Sequence, residues 1–123
     1  MIVTDGSVKI SKMADNIAGA LGKKKILIKD ASDFAGTDLL PADIVFLGCE
    51  KPSPPSFKYL HELFQHINLA GRSCGIFSSA AETVQYLTDM VRSSEISLNP
   101  VTLSDKNSSS IGEWTAKTVS GRY

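Results

Sequence analysis

The feature that most constrains this chain is the alternation of short, continuous apolar runs with longer stretches in which apolar residues recur at helical spacing. The runs cover residues 1–4, 26–29, 44–48, 73–78 and 96–103. Between the first two, Ile10, Met13, Ala14, Ile17, Ala18 and Leu21 share one helix face. Phe57, Leu60, Leu63, Phe64 and Ile67 make a second face. Val84, Leu87 and Val91, with Met90 beside them, make a third, and Ile111, Trp114, Thr118 and Val119 a fourth. Residues 31–40 leave room only for a single turn or a very short helix. A strand that is apolar throughout, rather than at alternate positions, is covered on both faces. Five of them separated by helices predict an α/β chain with a parallel sheet wound by right-handed crossovers. Pro100, in the last run, fits a strand at the sheet edge, where a missing N–H is tolerated.

Composition narrows the function classes. With 123 residues the chain is expected to form one domain over 1–123. Its 13 Lys and Arg balance 13 Asp and Glu, so it lacks the basic excess that binding a nucleic-acid backbone needs. The run Lys23, Lys24 and Lys25 is accounted for without nucleic acid: Gly22 reads as a helix C-cap, and the lysines face the negative end of that helix. No apolar run approaches the roughly 20 residues of a membrane span, and Met1 leads into IVTDGS without a basic leader. The expected location is the cytoplasm, with no membrane partner. Two cysteines are too few for a disulfide framework. Cys49 follows the carboxyl end of the third strand and Cys74 lies near the start of the fourth, so parallel pairing separates them and no bond is expected. Cys74 reads as a core thiol. Cys49 lies beside the ligand edge, with only Lys51 near it in sequence to lower its pKa.

In such sheets ligands bind outside the carboxyl ends of the strands. Loops 4–9, 30–34, 49–56, 78–82 and 104–110 reach that edge. The segments IVTDGSVKISKMADNIAGAL, ADIVFLGCEKPSPPSFKYLHELF and NLAGRSCGIFSS resemble the flavodoxin family over nearly the whole chain, most closely over residues 42–79. The resemblance implies a flavodoxin-like three-layer sandwich, with a five-stranded parallel sheet in the order 2-1-3-4-5. It also implies FMN as a noncovalent cofactor and a redox partner protein. The matching cofactor positions are Ser7, Val8, Lys9 and Ile10 in the phosphate loop, Cys49, Glu50 and Pro52 after the third strand, and Ser78, Ser79 and Ala80 after the fourth.

The family's phosphate loop has the form S/T-x-T-G-x-T, whose hydroxyls and amides converge at a helix N-terminus. The corresponding residues are Asp5-Gly6-Ser7-Val8-Lys9-Ile10, where only Ser7 supplies a hydroxyl and Asp5 brings a negative charge. Asp5 or Ser7 is expected to cap the first helix. The family also sandwiches its flavin ring between aromatics from two loops, but residues 49–56 and 78–82 contain none. Tyr59 and Phe57 lie just inside the next helix, Phe57 as core, and three prolines stiffen the first loop.

Other chemistries on such a sheet lack their residues. A receiver domain needs an aspartate where this chain has Gly48-Cys49, and no Cys-x5-Arg, G-x-G-x-x-G or Walker loop is present. His61 and His66, five apart, are poorly spaced for a shared metal. Two readings therefore stand side by side: an FMN electron carrier with a degenerate site, and a flavin-free interaction or regulatory module. An enzyme using Cys49 or Asp5 lacks an assignable base. Flavodoxins are characteristically acidic, and the balanced charge departs from that habit.

Overall fold

In the computed structural model, which describes residues 1–22, 26–39 and 41–123, the central strands sort their side chains alternately into two layers. The strands are β1 (Ile2–Thr4), β2 (Ile28–Asp30), β3 (Ile44–Gly48), β4 (Ser73–Phe77) and β5 (Ser97–Leu98). All neighbours pair in parallel, in the order β2-β1-β3-β4-β5. The helices are α1 (Val8–Leu21), the one-turn α2 (Gly36–Leu39), α3 (Lys58–His66), α4 (Ala81–Arg92) and α5 (Ile111–Ser120). Among the described residues no helix is long and apolar enough to cross a membrane.

Period-two alternation explains the layers. Val3, Val45, Leu47, Cys74 and Ile76 face α3 and α4, packing with Leu60, Phe64, Leu87 and Val91. Ile2, Phe46 and Phe77 face α1 and α5, packing with Ile10, Ala14, Ile17 and Trp114. Phe46 stands opposite Gly75 on β4. The absence of a side chain at Gly75 makes room for the indole of Trp114, whose ring lies 5.5 Å from that of Phe46 and whose Nε1 donates to the Val101 carbonyl at 2.7 Å.

The sheet edges depart from the sequence pattern. The run 96–103 forms strand only at Ser97–Leu98, leaves the sheet, and returns to bridge Phe77 through Leu103. Pro100 has no N–H to pair, and Asn99 organises the detour. Its N–H still donates to the Cys74 carbonyl, its Oδ1 accepts from the Val101 N–H, and its Nδ2 donates to Thr118 Oγ1. At the other edge β2 begins two residues later than its apolar run, with Ile28 exposed and Lys29 and Asp30 half-buried. Gly22 closes α1 at φ +74°, as the C-cap reading expects. The lysine run after it lies outside the described residues.

Two glycine substitutions test this packing. Gly75→Ala places a methyl 2.9 Å from the Trp114 ring and 3.0 Å from Phe46. It is expected to cost about 1–3 kcal/mol, read from urea unfolding followed by Trp114 fluorescence. Gly19→Ala, on an open stretch of α1 with nothing within 4 Å, is expected to gain about 0.5–1 kcal/mol in the same assay.

Candidate functional site

The carboxyl ends of β1, β3 and β4 carry the loops that the sequence marks as a site, and side-chain hydrogen bonds tie these loops together. After Thr4 the chain turns through Gly6, whose φ of +78° lets its backbone lie against the Asp30 carboxylate, where a Cβ would collide. Asp5 folds back over this turn. Its Oδ1 accepts the Ser7 N–H at 3.0 Å and the Ser7 hydroxyl at 2.7 Å, and its Oδ2 accepts the Glu50 N–H at 2.9 Å. The carboxylate therefore bridges the first and third loops.

This corrects the capping expectation. Ser7 is the N-cap residue by position, and its carbonyl accepts the Ser11 N–H, but its side chain caps nothing. The hydroxyl is oriented by its charge-assisted bond to the Asp5 carboxylate and accepts from no first-turn amide, and Asp5 accepts the Ser7 N–H rather than one of those amides. The other loop positions diverge. Val8 is 88% exposed, Ile10 is buried in the layer under α1, and Lys9 reaches across to Asp105 at 3.2 Å. That contact holds the Asp105 carboxyl below its ordinary range.

At the third loop the Cys49 side chain faces away from the sheet edge. The thiol continues the inward face of Val45 and Leu47 and is buried toward α3 and α4. Burial, with the Asp5 charge second, pushes it up to about 12, and Lys51 does not offset this. Cys74, fully buried, is pushed up to about 12 by burial alone, and both thiols are free, as expected. The backbone of this loop is what the site uses. Ser78 Oγ donates to the Cys49 carbonyl at 2.9 Å, and Thr83 Oγ1, from α4, donates to the Glu50 carbonyl at 3.1 Å. Ser78 is thus buried and occupied, while Ser79 and Ala80 are half-buried beside a shallow cavity of about 300 Å³. Pro52 is exposed beyond the clamp, next to Ser53 at φ +51°. Thr83 was not singled out in the sequence, because nothing local distinguishes it from other polar residues of α4.

The aromatic side chains near this edge serve other contacts. Phe57 is core, as expected. Tyr59 lies against Phe34, with ring centroids 6.3 Å apart, and its hydroxyl accepts the Gly36 N–H at 3.0 Å. Tyr86 stacks on His61 between α4 and α3, 5.9 Å apart. Among the described residues no group of three metal-ligating side chains is gathered.

The residues do not fit the tail of FMN. Two donors of the loop, the Ser7 N–H and the Ser7 hydroxyl, are already spent on a carboxylate of the chain itself, as is the Glu50 N–H. A phosphate there would meet that charge, and two like charges about 4 Å apart near a protein surface repel by about 4 kcal/mol. Lys9, the nearest cation of the loop, is engaged with Asp105.

Two outcomes follow from this geometry. Ser78→Ala leaves the Cys49 carbonyl without its donor in a buried place and is expected to cost about 1–3 kcal/mol in urea unfolding. For pH the sign follows from the raised thiols. A folded-state pKa near 12 against an ordinary value of 9 favours the neutral thiol, so its stabilisation is complete below pH 9 and is lost as pH rises from 9 toward 12. Denaturation midpoints should hold at pH 8 and fall above pH 9, and Cys49→Ala/Cys74→Ala should flatten that fall.

No protein-family model matches the chain, and no curated protein matches it. Solved structures do. A short-chain flavodoxin associated with a PDU bacterial microcompartment superposes with a TM-score of 0.83 at 13% identity, over 99% of this chain and 96% of that one. Oxidised flavodoxin 1 of Bacillus cereus gives 0.80 at 21% identity, over 98% and 95%. The Fusobacterium nucleatum flavodoxin bound to flavin mononucleotide gives 0.77 at 12%, over 97% and 95%. With the observed strand order, these likenesses establish that the chain has the flavodoxin-like fold.

Proposed function

We propose that this chain is a flavodoxin-like domain that works without a flavin, as an interaction or regulatory module presenting the carboxyl edge of its sheet. The observation that carries this reading is the joining of the two loops between which a flavin ring would lie. Ser78 and Thr83 hold the backbone of Cys49 and Glu50, and neither loop offers an aromatic face for stacking. What the edge does present is a stiff, exposed projection at Lys51, Pro52 and Ser53, and Val8 standing in solvent at the start of α1. Prolines fix such a projection before any partner arrives, which lowers the ordering cost of binding.

The second reading, an FMN electron carrier working with a redox partner protein, is favoured by a different observation. The fold superposes along its whole length on flavodoxins, one of them bound to flavin mononucleotide. In that case the cofactor would supply the electron chemistry and this chain would only hold it.

Absorbance of the purified protein, before and after incubation with excess FMN and gel filtration, separates the two. The module reading expects no flavin band with the protein peak and no thermal shift in millimolar FMN. A flavin band that co-elutes with the protein overturns it.

A further inference from the structure

The Asp5 carboxylate is bound as a foreign anion would be. It takes two amide N–H groups and a hydroxyl, from two different loops, at 2.7–3.0 Å, and both of its oxygens are used. The contact to Glu50 spans 45 residues, so the arrangement is more than a local turn. We propose that Asp5 is the specificity-determining residue of this edge: a resident anion that fills the place of a phosphomonoester and keeps one out. This deepens the flavin-free reading and rests on it.

Charge and occupancy both contribute. A phosphate group recognised here would draw on the same Ser7 and Glu50 donors, which Asp5 holds without any loss of translational freedom. It would also carry its charge up to a carboxylate, with the Asp30 carboxylate lying against the Gly6 backbone of the same turn. The one cation of the turn, Lys9, is directed to Asp105, 3.2 Å away. Beyond Asp5 the turn stays suited to an anion, because α1 begins without any side-chain cap on its first amides.

Asp5→Asn separates the effects, since it keeps shape and one acceptor oxygen while removing the charge. Asp5→Ser removes the charge and vacates the space. Thermal unfolding of the full chain and both variants, with inorganic phosphate titrated against chloride at constant ionic strength, reads the result. The unsubstituted chain should show no phosphate-specific shift, and Asp5→Ser should rise by several degrees, as linkage to a newly bound ligand requires. Asp5→Asn should rise by less, and by circular dichroism it should fold as the unsubstituted chain does. Ser7→Ala loosens the same turn but keeps the carboxylate, and should gain nothing.

A phosphate-specific shift in the unsubstituted chain overturns the proposal. So does the absence of a shift in both Asp5 variants, or an equal gain in Ser7→Ala. Failure of the variants to respond, with no flavin retained by the unsubstituted chain, sinks the role of Asp5 while leaving the module reading in place. Retained FMN in the unsubstituted chain sinks both.

Discussion

The backbone of Cys49 and Glu50, where the central strand β3 gives way to its loop, is gripped by three side chains from three different elements. Asp5 comes from the end of β1, Ser78 from the end of β4 and Thr83 from the first turn of α4. Each such bond contributes only about 1 kcal/mol net, yet losing one at a buried carbonyl costs up to about 3 kcal/mol. The grip therefore fixes geometry more than it adds stability. It sets the height of the third loop relative to its neighbours. The exposed residues from Lys51 to Ser53 are then carried on a fixed base.

At this edge the hydrogen-bonding groups of Ser7, Cys49 and Glu50 are satisfied internally, whereas the first amides of α1 carry no side-chain cap. A receiving site leaves donors unspent until the ligand arrives. Here the Ser7 N–H and hydroxyl and the Glu50 N–H are spent on Asp5, and the Cys49 and Glu50 carbonyls on Ser78 and Thr83. What remains open, besides the first amides of α1, is surface: Val8, the proline-stiffened projection and the shallow cavity beside Ser79 and Ala80.

Much of this was legible in the sequence, for reasons that also explain the rest. Continuous apolar runs and helical spacing report burial on two faces and on one, so the layers and the strand and helix positions could be read from them. Edges report less. The run 96–103 is apolar enough to be strand, but Pro100 and the side-chain bonds of Asn99 divert it, and such long-range pairing with Thr118 leaves no local trace. The inward turn of Cys49 did have a signal. It shares the odd-numbered face of Val45 and Leu47, and strand parity carried one residue further assigns it to the core. Proximity to the sheet edge does not set the direction of this side chain, because the end of a strand still obeys its alternation. The loss of the phosphate loop's hydroxyls could be read residue by residue, but the reach of Asp5 to Glu50 depends on two loops meeting in space.

The balanced charge follows the same local logic. Lys9 pairs with Asp105, Lys29 with Asp38, Arg92 with Asp89 and Lys117 with Glu113, all partly or largely exposed. Such pairs add little stability, and they place charges of opposite sign side by side on the surface. Acidic electron carriers use a field of one sign to steer a basic partner, at rates that fall steeply with salt. With 13 charges of each sign this chain has no net charge for steering of that kind, and Asp5, one of the carboxylates at this edge, is turned inward onto its own backbone. On the proposed module reading, recognition at this edge would come from contact, through the fixed shape of residues 51–53 and the exposed Val8, and contact of that kind is comparatively insensitive to ionic strength.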